Sequence, residues 1–222
     1  MVLAVDRYGP AVSARPTDIG IGHERFWTVA TIATVVRTLA SLALCIAAAR
    51  NEDLRLLVIG LVVYWVGDIV DGTLARLLHC ETRIGAVVDL LSDRLNSAAF
   101  YIGLCWLEPL YSVPVSIYLL EFLVIDAYLS LAFLAWPIRS PNYFFAVDEK
   151  IWLWNWSKPG KAVNSALFAV LLLLTESWWV GTLVAVPLLV LKCVSLRWLL
   201  RLGIPLPTAP LPARPTPESS ST

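Results

Sequence analysis

Residues 67–76 read Gly67-Asp68-Ile69-Val70-Asp71-Gly72-Thr73-Leu74-Ala75-Arg76, and residues 85–93 read Gly85-Ala86-Val87-Val88-Asp89-Leu90-Leu91-Ser92-Asp93. Both stretches lie in apolar runs of the length a membrane helix needs, about 20 residues. One carboxylate in hydrocarbon costs about 3 kcal/mol on insertion scales, so four of them demand a compensating positive charge. Asp68 and Asp71 are three apart, and Asp89 and Asp93 are four apart, so each pair shares a helix face. At about 1.5 Å per residue, Asp68 lies roughly 16 Å from the end of its helix near His79, and Asp93 roughly 14 Å from the start of its own near Ile84. In an antiparallel hairpin those depths nearly match, with Asp71 and Asp89 closer to the helix ends. Gly67, Gly72, Ala75, Gly85 and Ala86 let two backbones, or a backbone and a ligand, approach closely.

Composition agrees with a bilayer setting. The 222-residue chain is 58% hydrophobic and 15% charged, with mean hydropathy +0.72; a soluble domain carries about 25% charged residues. Six segments qualify as membrane spans: 26–49, 54–78, 84–107, 113–136, 162–175 and 178–202. The predicted fold is therefore all-α, a polytopic bundle of six transmembrane helices. Residues 1–25 form a polar tail, 26–203 the membrane domain, and 204–222 a tail whose proline density forbids a helix. No internal repeat and no second domain is evident.

Lys+Arg and Asp+Glu are equal at 17 each, so net charge points to no partner class, and no nucleic-acid partner is expected. Their placement is informative. The N-terminal tail, the loop near Arg76 and Arg83, the loop 137–161 and the C-terminal end carry 13 of the Lys and Arg residues. The opposite loops carry only Arg50 and Arg55. The positive-inside rule then puts both termini and the aspartate-bearing loop on the cytoplasmic side. Trp27, Trp106, Trp136, Trp178, Trp179 and Trp198 fall near span ends, as interfacial rings prefer. The stretch 151–156, with Trp152, Trp154 and Trp156, either rests on the membrane surface or packs on the protein.

Cys45, Cys80, Cys105 and Cys193 have no metal-ligand spacing and read as small apolar helix residues. His23 and His79 stand alone, and nothing supports a His/Cys metal site. The carboxylate cluster is the remaining candidate. Its all-oxygen donors suit Mg²⁺ or Mn²⁺, and two such ions about 4 Å apart stabilise an in-line displacement at phosphorus. The plainer alternative pairs the aspartates with Arg37, Arg76 and Arg94 as packing charges. Glu121 and Asp126, in the fourth span, either pair with Lys192 or face a polar cavity.

The run Asp68-x2-Asp71-Gly72-x2-Ala75-Arg76-x8-Gly85-x3-Asp89-x3-Asp93 resembles the signature of the CDP-alcohol phosphatidyltransferases, with every fixed position present. The resemblance implies a six-helix membrane bundle, usually a homodimer, that uses a CDP-linked lipid, typically CDP-diacylglycerol. An acceptor hydroxyl attacks the lipid-side phosphorus and CMP leaves. By matching position, Asp68, Asp71 and Asp89 would bind two ions, with Asp93 as general base and a possible fourth ligand. Asp68, Gly72, Ala75 and Arg76 would meet the nucleotide. Thr34-Val35-Val36-Arg37 is similar to the family's Thr-x-x-Arg, which adds Thr34 to that set, although Thr31 stands where an Asn is usual. Lys158-Pro159-Gly160-Lys161 resembles a Gly-Lys element of many members.

Arg139, Lys158 and Lys161, with Arg197 and Arg201 as further candidates, would form a basic acceptor pocket. Such a pocket favours a phosphorylated alcohol such as glycerol 3-phosphate or inositol phosphate. Two other classes compete. Intramembrane carboxylates also mark transporters of divalent cations or protons. Such a transporter favours a midplane site with broken helices, for which Pro187 is the candidate breaker. An intramembrane aspartyl protease needs only two of the four aspartates.

Overall fold

The computed structural model describes residues 24–205. Among them the chain is helical throughout: α1 Val29–Asn51, α2 Leu54–Leu77, α3 Arg83–Leu107, α4 Pro109–Ala135, α5 Glu149–Asn155, α6 158–175 and α7 Trp178–Leu202. Most of the N-terminal tail and of the proline-rich C-terminal tail expected from the sequence lies outside the described residues.

Local chemistry sets the helix boundaries. Thr28 caps α1 by accepting from the Thr31 N–H at 3.1 Å. Glu52 then turns the chain in a left-handed conformation (φ 51°), and Asp53 accepts from the Arg55 and Leu56 N–H groups to start α2. Thr82 caps α3 at the Gly85 N–H, while the Glu24 carboxylate accepts from Arg83 and Ile84 at 3.0 and 2.9 Å. The first N–H groups of α3, which have no partner within the helix, are thereby satisfied. The fourth rod begins at Pro109 rather than 113, because proline is tolerated in a first turn. It opens into a π turn over Glu121–Asp126. The fifth begins at Lys158, where Ser157 caps the Gly160 N–H. The last is a continuous helix across Pro187.

Among the described residues three helices, Val29–Asn51, Pro109–Ala135 and Trp178–Leu202, are long and apolar enough to cross a membrane. Their outward side chains, such as Val36, Leu39, Val124 and Leu183, are large and apolar. Helices α2 and α3 have comparable length but carry the site's charges.

Two cores hold the bundle. The larger joins Leu57, Tyr64, Phe100, Leu104, Tyr118 and Phe168, with the Tyr118 and Phe168 rings stacked at 4.4 Å. The smaller lies under residues 137–157 and contains Phe133, Ile138, Phe144, Ile151 and Trp156. Ile151 and Trp156 are buried, whereas Leu153 and Trp154 face outward. Asp126 pairs with Lys192, one of the two alternatives read from the sequence: Lys192, counted among the basic residues of the C-terminal flank, is buried inside the bundle, 2.6 Å from Asp126.

Candidate metal and substrate site

The four aspartates come together on the facing sides of α2 and α3, around a residue of α1. Arg37 Nε donates to Asp71 Oδ2 at 2.6 Å. Arg37 Nη2 lies 2.6 Å from Asp89 Oδ1, 3.0 Å from Asp93 Oδ1 and 3.3 Å from Asp68 Oδ1. Gly67 makes this possible: a Cβ there would sit 2.7 Å from both Cβ and Cδ of Arg37. Close approach of α1 and α2 is therefore the reason for that glycine.

The aspartates are not equivalent. The Asp71 side chain is 2% exposed, Asp93 18%, Asp89 39% and Asp68 43%. Asp71 is the anchored member, held by Arg37 and by the Thr34 hydroxyl at 2.7 Å. The others face open space. Oxygen atoms of Asp68, Asp71 and Asp89 lie within 4.8 Å of one another. Metal–oxygen bonds of about 2.0–2.6 Å span such a gap through a single ion. One guanidinium against four carboxylates leaves the cluster formally anionic. The donor set thus fits a hard divalent cation.

Two cavities meet at the cluster. The smaller, about 80 Å³, is lined by Thr34, Asp71, Gly72, Ala75, Arg76 and Asp89, with Arg139 at its rim. The larger, about 700 Å³, is lined by Asp68, Asp89, Asp93, Lys158 and Lys161. Gly72, Arg76 and Asp89 border both. Gly72 differs from Gly67 in this respect. The nearest atoms to a Cβ there belong to Arg76, at an ordinary 3.5 Å, so it leaves room for the cavities and does not serve helix packing.

The expected basic pocket is divided. Lys158 and Lys161 line the larger cavity, Arg139 lines the smaller one, and Arg197 and Arg201 are exposed and line neither. Cys80, expected as an apolar helix residue, sits in the turn after α2 and lines the smaller cavity. That turn is clamped from outside by the Tyr143 hydroxyl, which donates to Glu81 at 2.7 Å. Burial, helped by the Glu81 carboxylate, pushes the Tyr143 hydroxyl up to about 12, so it stays a donor.

Of the three arginines named as partners for the aspartates, Arg37 serves all four, while Arg94 turns away to pair with Asp126, which sequence reasoning missed. Asp126 is also bonded by Lys192, which reaches Asn155 Oδ1 at 3.0 Å. This buried network ties α4, α5 and α7 together in the wall of the larger cavity. The available signal was the cost of a cation in a span: Arg37 and Arg94 each require a buried partner. Glu121 is fully buried, and neither carboxylate oxygen has a hydrogen-bond partner among the described residues.

A family model described as CDP-alcohol phosphatidyltransferase matches residues 27–198. No curated protein and no solved structure matches the chain.

Proposed function

The chain belongs to the CDP-alcohol phosphatidyltransferase family, and from that premise we propose that it transfers a phosphatidyl group from CDP-diacylglycerol to a small polar alcohol, releasing CMP. The family makes it a transferase of phospholipid biosynthesis with a CDP-alcohol donor. The choice of donor lipid, the preference for a phosphorylated acceptor, six spans with both termini cytoplasmic, and a homodimer complete the proposal.

One observation carries it. The carboxylates lie where a small cavity bearing the signature residues meets a large one bearing Asp93, Lys158 and Lys161. The small cavity, opening beside Thr34, Gly72, Ala75 and Arg76, is assigned to the nucleotide end of the donor on those signature residues. The large one holds the lipid-side phosphate and the acceptor. Asp68, Asp71 and Asp89, with Asp93 adjoining, would hold Mg²⁺ or Mn²⁺, which when bound neutralises the pyrophosphate and the charge that develops on displacement.

The protein's own groups then act as follows. Asp71, buried and doubly anchored, fixes the register of α2 against α1. Asp93 takes the proton of the acceptor hydroxyl as its oxygen bonds to the lipid-side phosphorus. The bond from that phosphorus to the CMP oxygen breaks, and Arg76, bordering both cavities, steadies the departing nucleotide. Lys158 and Lys161 attract an anionic acceptor. No particular observation favours the transporter reading.

The test is an acceptor screen. Purified protein is given CDP-diacylglycerol, Mn²⁺ and one of glycerol 3-phosphate, inositol phosphate, inositol or serine. CMP release that depends on one acceptor supports the proposal, most strongly for a phosphorylated one. No CMP with any acceptor, alongside metal flux in vesicles, would overturn it in favour of transport.

A further inference from the structure

Arg37 Nη2 carries two N–H bonds but lies within 3.3 Å of oxygens from three carboxylates. Two hydrogens cannot serve three acceptors at full strength. The nitrogen holds its place as a charge at the focus of converging oxygens, the position a cation takes. The Nε–Asp71 bond is of another kind: short, directed, and buried on both sides. The stem lies against Gly67, and the guanidinium carbon is 5.5 Å from the Tyr64 ring centroid. The side chain is therefore held at its base and at Nε, while its tip touches the three members of the cluster that are more exposed than Asp71.

We propose that Arg37 is an internal counter-cation: it gathers the aspartates before an ion arrives, and its Nη2 yields the contacts to Asp68, Asp89 and Asp93 when one binds. Nε stays on Asp71 as the pivot. Without such a charge four carboxylates repel one another and the hairpin opens. With it the cluster is preorganised, at the expense of a weaker hold on the ion. Arg37 is thus a positioning residue that sets metal affinity. This rests on the reading of the aspartates as ion ligands.

The test measures Mn²⁺ binding by electron paramagnetic resonance, and thermal melting with and without Mn²⁺, for the unmutated protein, Arg37→Gln and Asp68→Asn. Loss of one competing charge-assisted contact predicts that Arg37→Gln binds Mn²⁺ about tenfold more tightly. The metal-free variant melts lower than the unmutated protein, and Mn²⁺ closes most of that gap. Affinity equal to or weaker than the unmutated protein's overturns the proposal. So does a variant that Mn²⁺ does not rescue, since Arg37 would then be a structural pin that no ion replaces. The underlying reading fails separately, if the unmutated protein binds no Mn²⁺ or Asp68→Asn binds it equally well.

Discussion

Thr34 and Arg37, one turn apart on α1, converge on the same oxygen of Asp71: the hydroxyl donates to Oδ2 at 2.7 Å and Nε at 2.6 Å. A carboxylate so held has little freedom to serve as a mobile ligand or base. It fixes α2 to α1, and thereby the position of every other group in the cluster.

The first prediction separates Asp71 from Asp68. Asp71→Ala leaves Arg37 buried with its one fully buried partner in the cluster gone, and breaking a buried pair costs about 3–5 kcal/mol. Its melting temperature in detergent should fall sharply. Asp68→Asn removes a carboxylate charge that faces the cavity, so CMP release should disappear while melting changes little. Equal melting of the two variants would contradict this assignment of roles.

Asp93 gives the second. It lines the larger cavity and not the smaller one, and is less exposed than Asp68 or Asp89. Asp93→Asn should abolish turnover while largely preserving Mn²⁺ binding, measured on the same preparation. Activity near the unmutated level would remove Asp93 from the base role.

Much of this site was legible in the residues themselves. The i,i+3 and i,i+4 spacings of the aspartates and the matched depths of α2 and α3 placed the cluster, because helix geometry converts spacing directly into facing. The partners were less legible. Arg37 lies 31 residues before Asp68, and nothing local says which rod α1 packs against. Lys192 was legible as a partner for Glu121 or Asp126, because a cation and two acids inside spans need one another, but the choice between the two acids, 66 residues from Lys192 in the case of Asp126, was not. The basic pocket divided for a similar reason. Arg139 and Lys161 flank the segment 140–160, whose folding through α5 sends them to different cavities.

Metal removal supplies the third prediction. With an all-oxygen donor set and a formal excess of negative charge, chelation by EDTA should stop CMP release, and Mg²⁺ or Mn²⁺ should restore it. Zn²⁺ should restore it poorly, since the site offers neither imidazole nor thiolate. Undiminished activity after exhaustive chelation would contradict the ion-binding role of the aspartates.

The fourth concerns the acceptor. Lys158 and Lys161 open α6 and line the cavity that holds Asp93. If they attract a phosphorylated alcohol, Lys161→Ala should raise the acceptor KM about tenfold, the loss expected for one charge-assisted hydrogen bond, with kcat nearly constant. An unchanged KM would show that Lys161 anchors the helix end and takes no part in recognition. Arg197→Ala, on an exposed face outside both cavities, serves as the control and should leave KM unaltered.

Glu121 leads to the fifth. Its carboxylate is buried in the π turn of α4 with neither oxygen bonded among the described residues, next to a chain segment that also carries Asp126. A buried polar group without partners costs about 1–3 kcal/mol. Glu121→Leu removes that cost and extends the apolar surface around Phe122 and Tyr118. Its melting temperature should rise, while the acceptor KM stays fixed because Glu121 lines neither cavity. The Asp126–Lys192 pair beside it behaves oppositely: Lys192→Met strips Asp126 of a buried cation and should lower stability by about 3–5 kcal/mol. Opposite signs for the two substitutions would mark the π turn as strained at Glu121 and held at Asp126. A fall in melting temperature for Glu121→Leu would mean that Glu121 has a partner the described residues do not provide.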